Sequence, residues 1–496
     1  MMRTKIIIGA LLVLLTMMFS SSVNGAVNVS LDAKKATMNS QMIETALQKA
    51  KSSKSASEKI VTLPKGVFLL AKTVVVPAGV TLRGANGNAM PILRIQQNEE
   101  IPVIKMGSDT KLENVVLDGQ STVGYVNQKH NGVEMVGASA NQRVRNVQIV
   151  NSQVRNFGGN GIYMKYTDRV SISGTTTSQM VVSKIGYAGI IGYSANNTKI
   201  QRVTVRDIGV AGQKLAYNIA LSEYFNSKLT SQMQAKMNPR SDGALIESSN
   251  ILNNAVWEGI DTHHGKNIVV RNNVILNVRN AIAIVSITLK GDMGTVSPPQ
   301  NIVIQNNRIN KEADYVRLKL TKSERYKTVR GIVVAGAKLK KSRDAVYATE
   351  IQILNNQVEN VQTLGVYSGG ITILNSFGAV IFGNKVQLET SGRTNYNGIA
   401  LIINNKRFLI RGNYIGKITM PTTGVIVFRG SQNNGEWNNA KWSRVTGYRS
   451  TLMKNYRDVK LLPNGSLNLK GAKLITQIAD PNGVVVRNTN KYVFQK

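Results

Sequence analysis

The residues best suited to chemistry lie in one short stretch, Trp257-Glu-Gly-Ile-Asp-Thr-His-His-Gly265. The 496-residue chain has three histidines, and two of them are adjacent here. If Ile260 points into a core, strand alternation turns Asp261 and His263 to the other face, about 7 Å apart along the strand. His264 then falls at the strand end. A carboxylate beside an imidazole holds the ring in one orientation and raises its pKa, so such a pair can move protons.

The same parity applies wherever Gly is followed by Ile or Val. It brings Glu134 outward after Val133, Tyr163 and Lys165 outward after Ile162, and Tyr193 outward after Ile190. Later steps give Ala283 and Val285, Val333 and Ala335, Thr372 and Leu374, and Ala400 and Ile402. Ionisable outward residues are therefore confined to the earlier steps, which marks a local site rather than a uniformly solvated face. The candidate catalytic residues are His263, Tyr193, Lys165, Asp261 and Tyr163. The candidate substrate-binding residues are Glu134, Trp257, His264, Arg271 and Arg279. Cysteine is absent, which excludes thiol catalysis and thiolate-bound metals. The 27 acidic residues are spread along the chain without a dense aspartate cluster. No metal or cofactor is expected, and calcium is the less favoured alternative because it needs several clustered oxygens.

Positioning these side chains requires a repeating set of strands, and the sequence repeats. Ile268-Val-Val-Arg-Asn-Asn-Val-Ile275, Ile302-Val-Ile-Gln-Asn-Asn-Arg-Ile309, Ile351-Gln-Ile-Leu-Asn-Asn-Gln-Val358 and Phe408-Leu-Ile-Arg-Gly-Asn-Tyr-Ile415 share one pattern. Each is apolar-x-apolar, then a turn with Asn or Gly, then a further apolar residue. Stacked coils place Asn273, Asn307, Asn356, Asn384 and Asn413 in one internal file, where their amides can bond along the axis. A second column of Gly-(Ile/Val) steps runs from Gly132-Val133 to Gly424-Val425. The two columns predict an all-β solenoid, a single-stranded right-handed parallel β-helix. Asn39 or Ser40 is expected to cap a helix running to about Lys51, with Met42, Ala46, Leu47 and Ala50 as its apolar stripe. That helix would cap the first coil.

The organisation follows. Arg3 and Lys5, the apolar run Ile6 to Phe19, and the small residues up to Ala26 read as an export signal over 1–25. The run is shorter than the roughly 20 apolar residues of a membrane span. Residues 26–84 form the N-terminal cap and first coils. Residues 85–430 form the β-helix, with insertions at 211–240, helical around Ser222–Met237, and at 311–330. Residues 431–496, including Trp437 and Trp442, form a C-terminal cover. Lys and Arg total 62 against 27 acids, a formal net charge of +35. Such a surplus calls for an anionic partner. The export signal and the lack of nucleic-acid-binding motifs point to an anionic polysaccharide met outside the cell or at its surface. No nucleic acid, no membrane after signal removal, and a monomeric state are expected.

Two stretches resemble known families. The segment from Val61 to Gly84, with its Pro-x-Gly turns after a helix, resembles the start of pectate-lyase-like β-helix proteins. Asp261-Thr-His263, with Gly-Ile before it and Asn267-Ile-Val-Val-Arg-Asn-Asn273 after it, resembles the Asp-Pro-His element of mannuronan C5-epimerases and related lyases. Thr262 stands where the epimerases have Pro, and His264 where they have an acid. The resemblance implies His263 as the group that takes or gives the C5 proton of a uronate. That reaction needs a cation for the carboxylate, a base, and an acid. Lys165 can serve as the first, His263 as the second, and Tyr193 or Tyr163 as the third. Non-catalytic binding of anionic cell-wall or extracellular polysaccharide is the alternative. Glycoside hydrolysis ranks third, with Glu134, Glu258 and Asp261 as its carboxylate candidates.

Overall fold

The computed structural model describes residues 25–286 apart from 86–88, 123, 227 and 230. It further describes 297–312, 330–338, 345–361, 369–388 and shorter strand segments from 397 onward. The expected signal, most of the 311–330 insertion and most of the C-terminal cover lie outside the described residues. Among the described residues, no helix is long and apolar enough to cross a membrane.

Helix α1 (Ala36–Ser52) buries Ile43, Ala46, Leu47 and Ala50, a spacing that puts all four on one side. It starts earlier than the sequence suggested, and Asn39 and Ser40 are buried inside it rather than capping it. Their side chains tie the helix to the first coil. Asn39 Nδ2 donates to the Leu69 carbonyl at 3.1 Å, and Ser40 Oγ accepts from the Ala71 N–H at 3.0 Å. The end of a solenoid exposes unpaired backbone groups, and these two polar side chains satisfy some of them. Met42 is only partly buried, and Ile43 takes its place in the core.

Beyond α1 the chain winds as short strands, each paired in parallel with the equivalent strand one coil later. One column carries the site: β1 (Val133–Val136), β2 (Asn160–Ser173), β3 (Ala188–Asn196), β4 (Tyr217–Ser222), β5 (Asn250–His263), β6 (Val274–Val285), β7 (Arg330–Ala335), β8 (Gly369–Leu374) and β9 (Asn397–Ile402). Its inward file reads Val133, Ile162, Ile190, Ile219, Ile260, Ile282, Ile332, Ile371, Ile399, each the register partner of the next. All nine are fully buried. Burying a side chain of this size contributes about 1.5–3 kcal/mol, so this file alone is a large part of the core.

The glycine before the inward residue has a steric cause. A Cβ at Gly161 would lie 2.5 Å from the Gly189 carbonyl oxygen, and one at Gly331 would lie 2.4 Å from that of Gly370. The coils approach too closely there for a side chain to point along the axis.

The asparagine file forms as the repeat predicts. The Nδ2 groups of Asn273, Asn307, Asn356 and Asn384 each donate to the Oδ1 of the next member, ending on Asn413, at 2.9–3.0 Å. The preceding residue makes the turn. Asn272, Asn306 and Asn355 have φ of 55°, 54° and 52°, the left-handed conformation that Asn adopts more readily than most residues. The Asn-Asn pairs thus divide two tasks, the first residue turning the chain and the second bonding along the axis.

Candidate active site

The outward side chains of the column form two files. One runs Glu134, Tyr163, Ile191, Ala220, Asp261, Ala283, Val333, Thr372, Ala400. The other runs Val136, Lys165, Tyr193, Ser222 and, one coil on, His263, then Val285. Ala220 and Ser222 belong to β4, a full rung lying inside the insertion expected over 211–240. Asn218 stands there where every other coil of the column except β6, which has Ala281, carries glycine, and this hides the pattern. Its Nδ2 instead donates to the Val205 and Leu252 carbonyls at 3.0 and 3.1 Å. The inserted loop begins after Ser222, and its helix α2 covers only Ser231–Met237.

His263 and Asp261 meet more closely than their backbone spacing requires. His263 Nδ1 lies 3.1 Å from Asp261 Oδ2, with the imidazole 20% exposed and the carboxylate 1% exposed. Ser222 Oγ stands 3.4 Å from both atoms and accepts from the His263 N–H at 3.3 Å. Ser222 is held in turn by Ser241, whose Oγ donates to the Ser222 carbonyl at 2.9 Å. Burial pulls the His263 pKa down, but the charge and hydrogen bond of Asp261 outweigh it and leave the group above its ordinary value.

Glu258 completes the cluster. The residue is 6% exposed and its carboxyl lies beside that of Asp261. Burial, then the Asp261 charge, push its pKa well above the carboxylate range, while Arg330 and a bond from Trp257 oppose the shift. Burial makes a charged carboxyl costly, and two adjacent buried carboxyls cannot both ionise cheaply. One proton held by Glu258 relieves both. Glu258, Asp261 and His263 each present a potential metal-ligand atom, all within 4.8 Å of one another. The sequence offers Glu258 only as a hydrolase carboxylate. Its position three residues before Asp261 does not by itself predict that the two side chains converge.

Tyrosines wall the face on the side of the earlier coils. The Tyr163 and Tyr193 ring centroids are 6.0 Å apart, those of Tyr193 and Tyr224 are 5.6 Å apart, and those of Tyr187 and Tyr217 are 5.8 Å apart. Burial first, then neighbouring groups, push Tyr163 up to about 12 and raise Tyr187, Tyr193 and Tyr217 as well. All four stay phenols at neutral pH and keep a proton to donate. Lys165 Nζ sits 3.5 Å from the Tyr224 ring centroid, and burial lowers its pKa. Tyr224 belongs to the inserted loop, which is latched to the coils. Gln234 Nε2 donates to Glu223 Oε1 and to the Tyr224 carbonyl, and Tyr166 bonds Asn238. The outward parity of the Gly-Ile steps does not reach Tyr187, Tyr217 or Tyr224, which lie just before a strand, at the start of one and in a loop.

The other expected residues are dispersed. Lys165 is three rungs from His263, about 14 Å at the spacing of paired strands, so the two cannot serve one sugar as the sequence suggested. Glu134 is four rungs from Asp261, beside Lys105 at 3.9 Å and accepting from Asn131 at 2.9 Å. Trp257 is partly buried at the lower edge of the site, with Arg279 packed on its ring at 5.3 Å. Arg279 is itself buried and donates to the Val256 carbonyl, so it supports Trp257 instead of reaching solvent. Arg271 lies on the next strand round the coil, ion-paired with Glu247, and faces away from the column. His264 has φ of 64°, is buried, and its Nδ1 lies 2.6 Å from the Ser297 carbonyl oxygen. Burial drives its pKa down to about 4. It is a packed turn residue and does not open onto the face.

Comparison with known proteins agrees on the architecture. The family model for the right handed beta helix region matches residues 103–289. The structure is similar to the A-module of the mannuronan C-5 epimerase AlgE6 of Azotobacter vinelandii, with a TM-score of 0.50 and 13% identity over 80% of this chain and 98% of that one. It is also similar to the Agl-KA catalytic domain, with a TM-score of 0.51 and 13% identity over 83% of this chain and 69% of that one. PfbA, a surface adhesin of Streptococcus pneumoniae, aligns with a TM-score of 0.45 and 14% identity over 84% and 98% of the two chains. No curated protein matches the sequence. The chain is a right-handed parallel β-helix, and the likeness extends to the fold alone.

Proposed function

We propose that this protein is an exported enzyme that acts on a uronate-containing polysaccharide by abstracting the C5 proton, as a lyase or an epimerase. The observation that carries the reading is the Asp261–His263 pair: a carboxylate 1% exposed, 3.1 Å from an imidazole 20% exposed, on a face walled by phenols. With Nδ1 engaged by Asp261, the His263 Nε2 is the atom free to take a proton. The His263 base form removes the C5 proton, and a protonated tyrosine of the wall, Tyr193 foremost, returns one to the leaving oxygen or to the opposite face of the ring. Ser222 fixes the imidazole from the rung above.

The distribution of cations suits a polymer that lies along the coil axis. Arg240 is one cation at the His263 end, near enough to His264 to influence it, with its guanidinium braced on the Pro298 carbonyl and Gln300. Lys165, three rungs away, would meet the carboxylate of a more distant sugar. The net charge of +35 favours approach of any such polyanion. Hydrolysis fits less well. Glu258 and Asp261 are adjacent and almost fully buried, which leaves no room between them for a glycosidic oxygen or a water.

The test is ultraviolet absorbance of the unsaturated product during incubation with alginate, polygalacturonate, glucuronan and hyaluronan, with proton exchange at C5 followed in parallel. A signal in either assay that is lost in His263→Ala supports the reading. Silence in both on every polymer sinks it and leaves charge-driven binding to anionic polysaccharide.

A further inference from the structure

We propose that Glu258, Asp261 and His263 form a binding site for a divalent transition metal of the zinc class. The three side chains come from a single strand, β5, and each offers one donor atom within 4.8 Å of the others. Ligand atoms around a tetrahedral zinc stand about 3.4 Å apart, so small side-chain rotations would close the set. A second observation points the same way. Glu258 Oε2 and Asp261 Oδ1 are buried without a hydrogen-bond partner, and both belong to side chains more than nine-tenths buried. A buried carboxylate oxygen with nothing to bind is costly. Arg330 is the guanidinium that acts on Glu258, and the proton that Glu258 holds is the one an incoming ion would displace.

The donor set selects the ion. One imidazole nitrogen and two carboxylates resemble the three-ligand sites in which zinc keeps a fourth, open position. Calcium takes six to eight oxygens, and this cluster offers carboxylates from only two residues. The way in is from the His263 side, since that imidazole is the exposed member. The other two histidines cannot compete as surface ligands: His130 and His264 are both buried.

This site goes beyond the proposed function, although one corollary rests on it. An ion bound by His263 occupies the imidazole lone pair, so it would inhibit proton abstraction rather than assist it.

The experiment uses the full chain, stripped with chelator and titrated with zinc chloride alone, read by calorimetry and by thermal unfolding. One saturable zinc per chain and a raised unfolding midpoint are expected. Glu258→Gln and His263→Gln should each weaken binding at least tenfold. His263→Gln alters a partly exposed side chain and keeps the test open should Glu258→Gln fail to fold. Absence of saturable zinc binding overturns the site, as does binding that is unchanged in His263→Gln. Calcium binding as tight as zinc overturns the assignment of ion class. The titration needs no substrate, so a protein inactive on every polyuronate would refute the enzymatic reading without touching this one.

Discussion

The early and late coils of the β1–β9 column share one backbone, one register and one inward file, yet the polar and phenolic outward residues of the early coils have almost no counterpart in the late ones. From β1 to β5 the outward positions hold Glu134, Tyr163, Lys165, Tyr193, Ser222, Asp261 and His263. From β6 onward the first file holds Ala283, Val333, Thr372 and Ala400, and all four are buried. Packing inside the solenoid is indifferent to this change, because alternation directs the two sets of residues to opposite sides. The scaffold is therefore set by the inward residues, and the proposed chemistry falls in the coils whose outward residues are ionisable or phenolic, with His263 as the partly exposed member.

The largest expected effect tests that division directly. His263→Ala should lower turnover of the responsive polyuronate by about a hundredfold to ten-thousandfold. Val285→Ala, the register partner one coil later, should leave it within about twofold. Comparable losses in both variants, measured as initial rates, would erase the distinction between early and late coils.

The cores can be separated by acid. His130 lies in the early coils, fully buried between Tyr125 and Phe157, with ring centroids 5.8 and 5.2 Å away. Its Nδ1 accepts the Gly158 N–H at 3.0 Å. Burial lowers its pKa from 6.5 to about 4. The unfolded chain therefore binds a proton that the folded chain refuses across that interval. Stability is complete above pH 6.5 and falls as pH drops toward 4, by about 3 kcal/mol. Denaturant midpoints measured across that range should flatten in His130→Phe. An unchanged slope would mean that the acid sensitivity arises elsewhere.

Asn307 probes the late coils in the same currency. Its Oδ1 accepts from the Asn273 backbone and side chain, and its Nδ2 donates to Val270 and Asn356. Asn307→Ala leaves several of these buried groups unpaired, at about 1–3 kcal/mol, and should shift the denaturant midpoint without altering kcat. A loss of turnover matching that of His263→Ala would show that the late coils do more than support.

The pH profile sharpens the picture within the early coils. Asp261 raises His263, and the base form is the working one, so turnover should climb through a pH above the ordinary value of 6.5 and level off beyond it. Asp261→Asn should move that limb downward while lowering the plateau, as read from kcat against pH. A limb that stays in place would separate Asp261 from the titration of His263. The smallest effect is expected at Lys165→Ala: about tenfold in KM for long oligomers and little for short ones, since its rung is distant from His263. Equal effects on both lengths would move Lys165 into the reacting subsite.

Much of this was legible in the residues themselves. The Asn file and the Gly-Ile steps recur with the parity of strands, and the structure bonds and stacks them as that parity requires. The same count turns Asp261, His263, Tyr163, Lys165 and Tyr193 outward, and the strand register places them in the two outward files. The failures have physical causes. Ser222 was lost because Asn218 replaces the glycine that marks a rung. The Gly-Ile steps alone count two rungs from Lys165 to His263, and β4 adds a third, about 4.8 Å more. Tyr224 reaches the face from a loop, where no periodicity exists to be read. Arg271 and His264 were near His263 in sequence but lie beyond a turn that carries them to the next sheet or into the interior.

The asparagine ladder has a consequence for how the molecule comes into being. A finished coil offers the incoming chain a ready line of donors and acceptors at Asn273, Asn307, Asn356 and Asn384. Adding a turn to an existing end then needs only local ordering, whereas starting a new stack means closing a whole coil with nothing beneath it. Helix α1, bonded to Leu69 and Ala71, supplies a closed first surface from which winding can begin. The N-terminal end is thereby equipped to act as the seed, so the coils that carry His263 would be laid down before those that merely extend the stack.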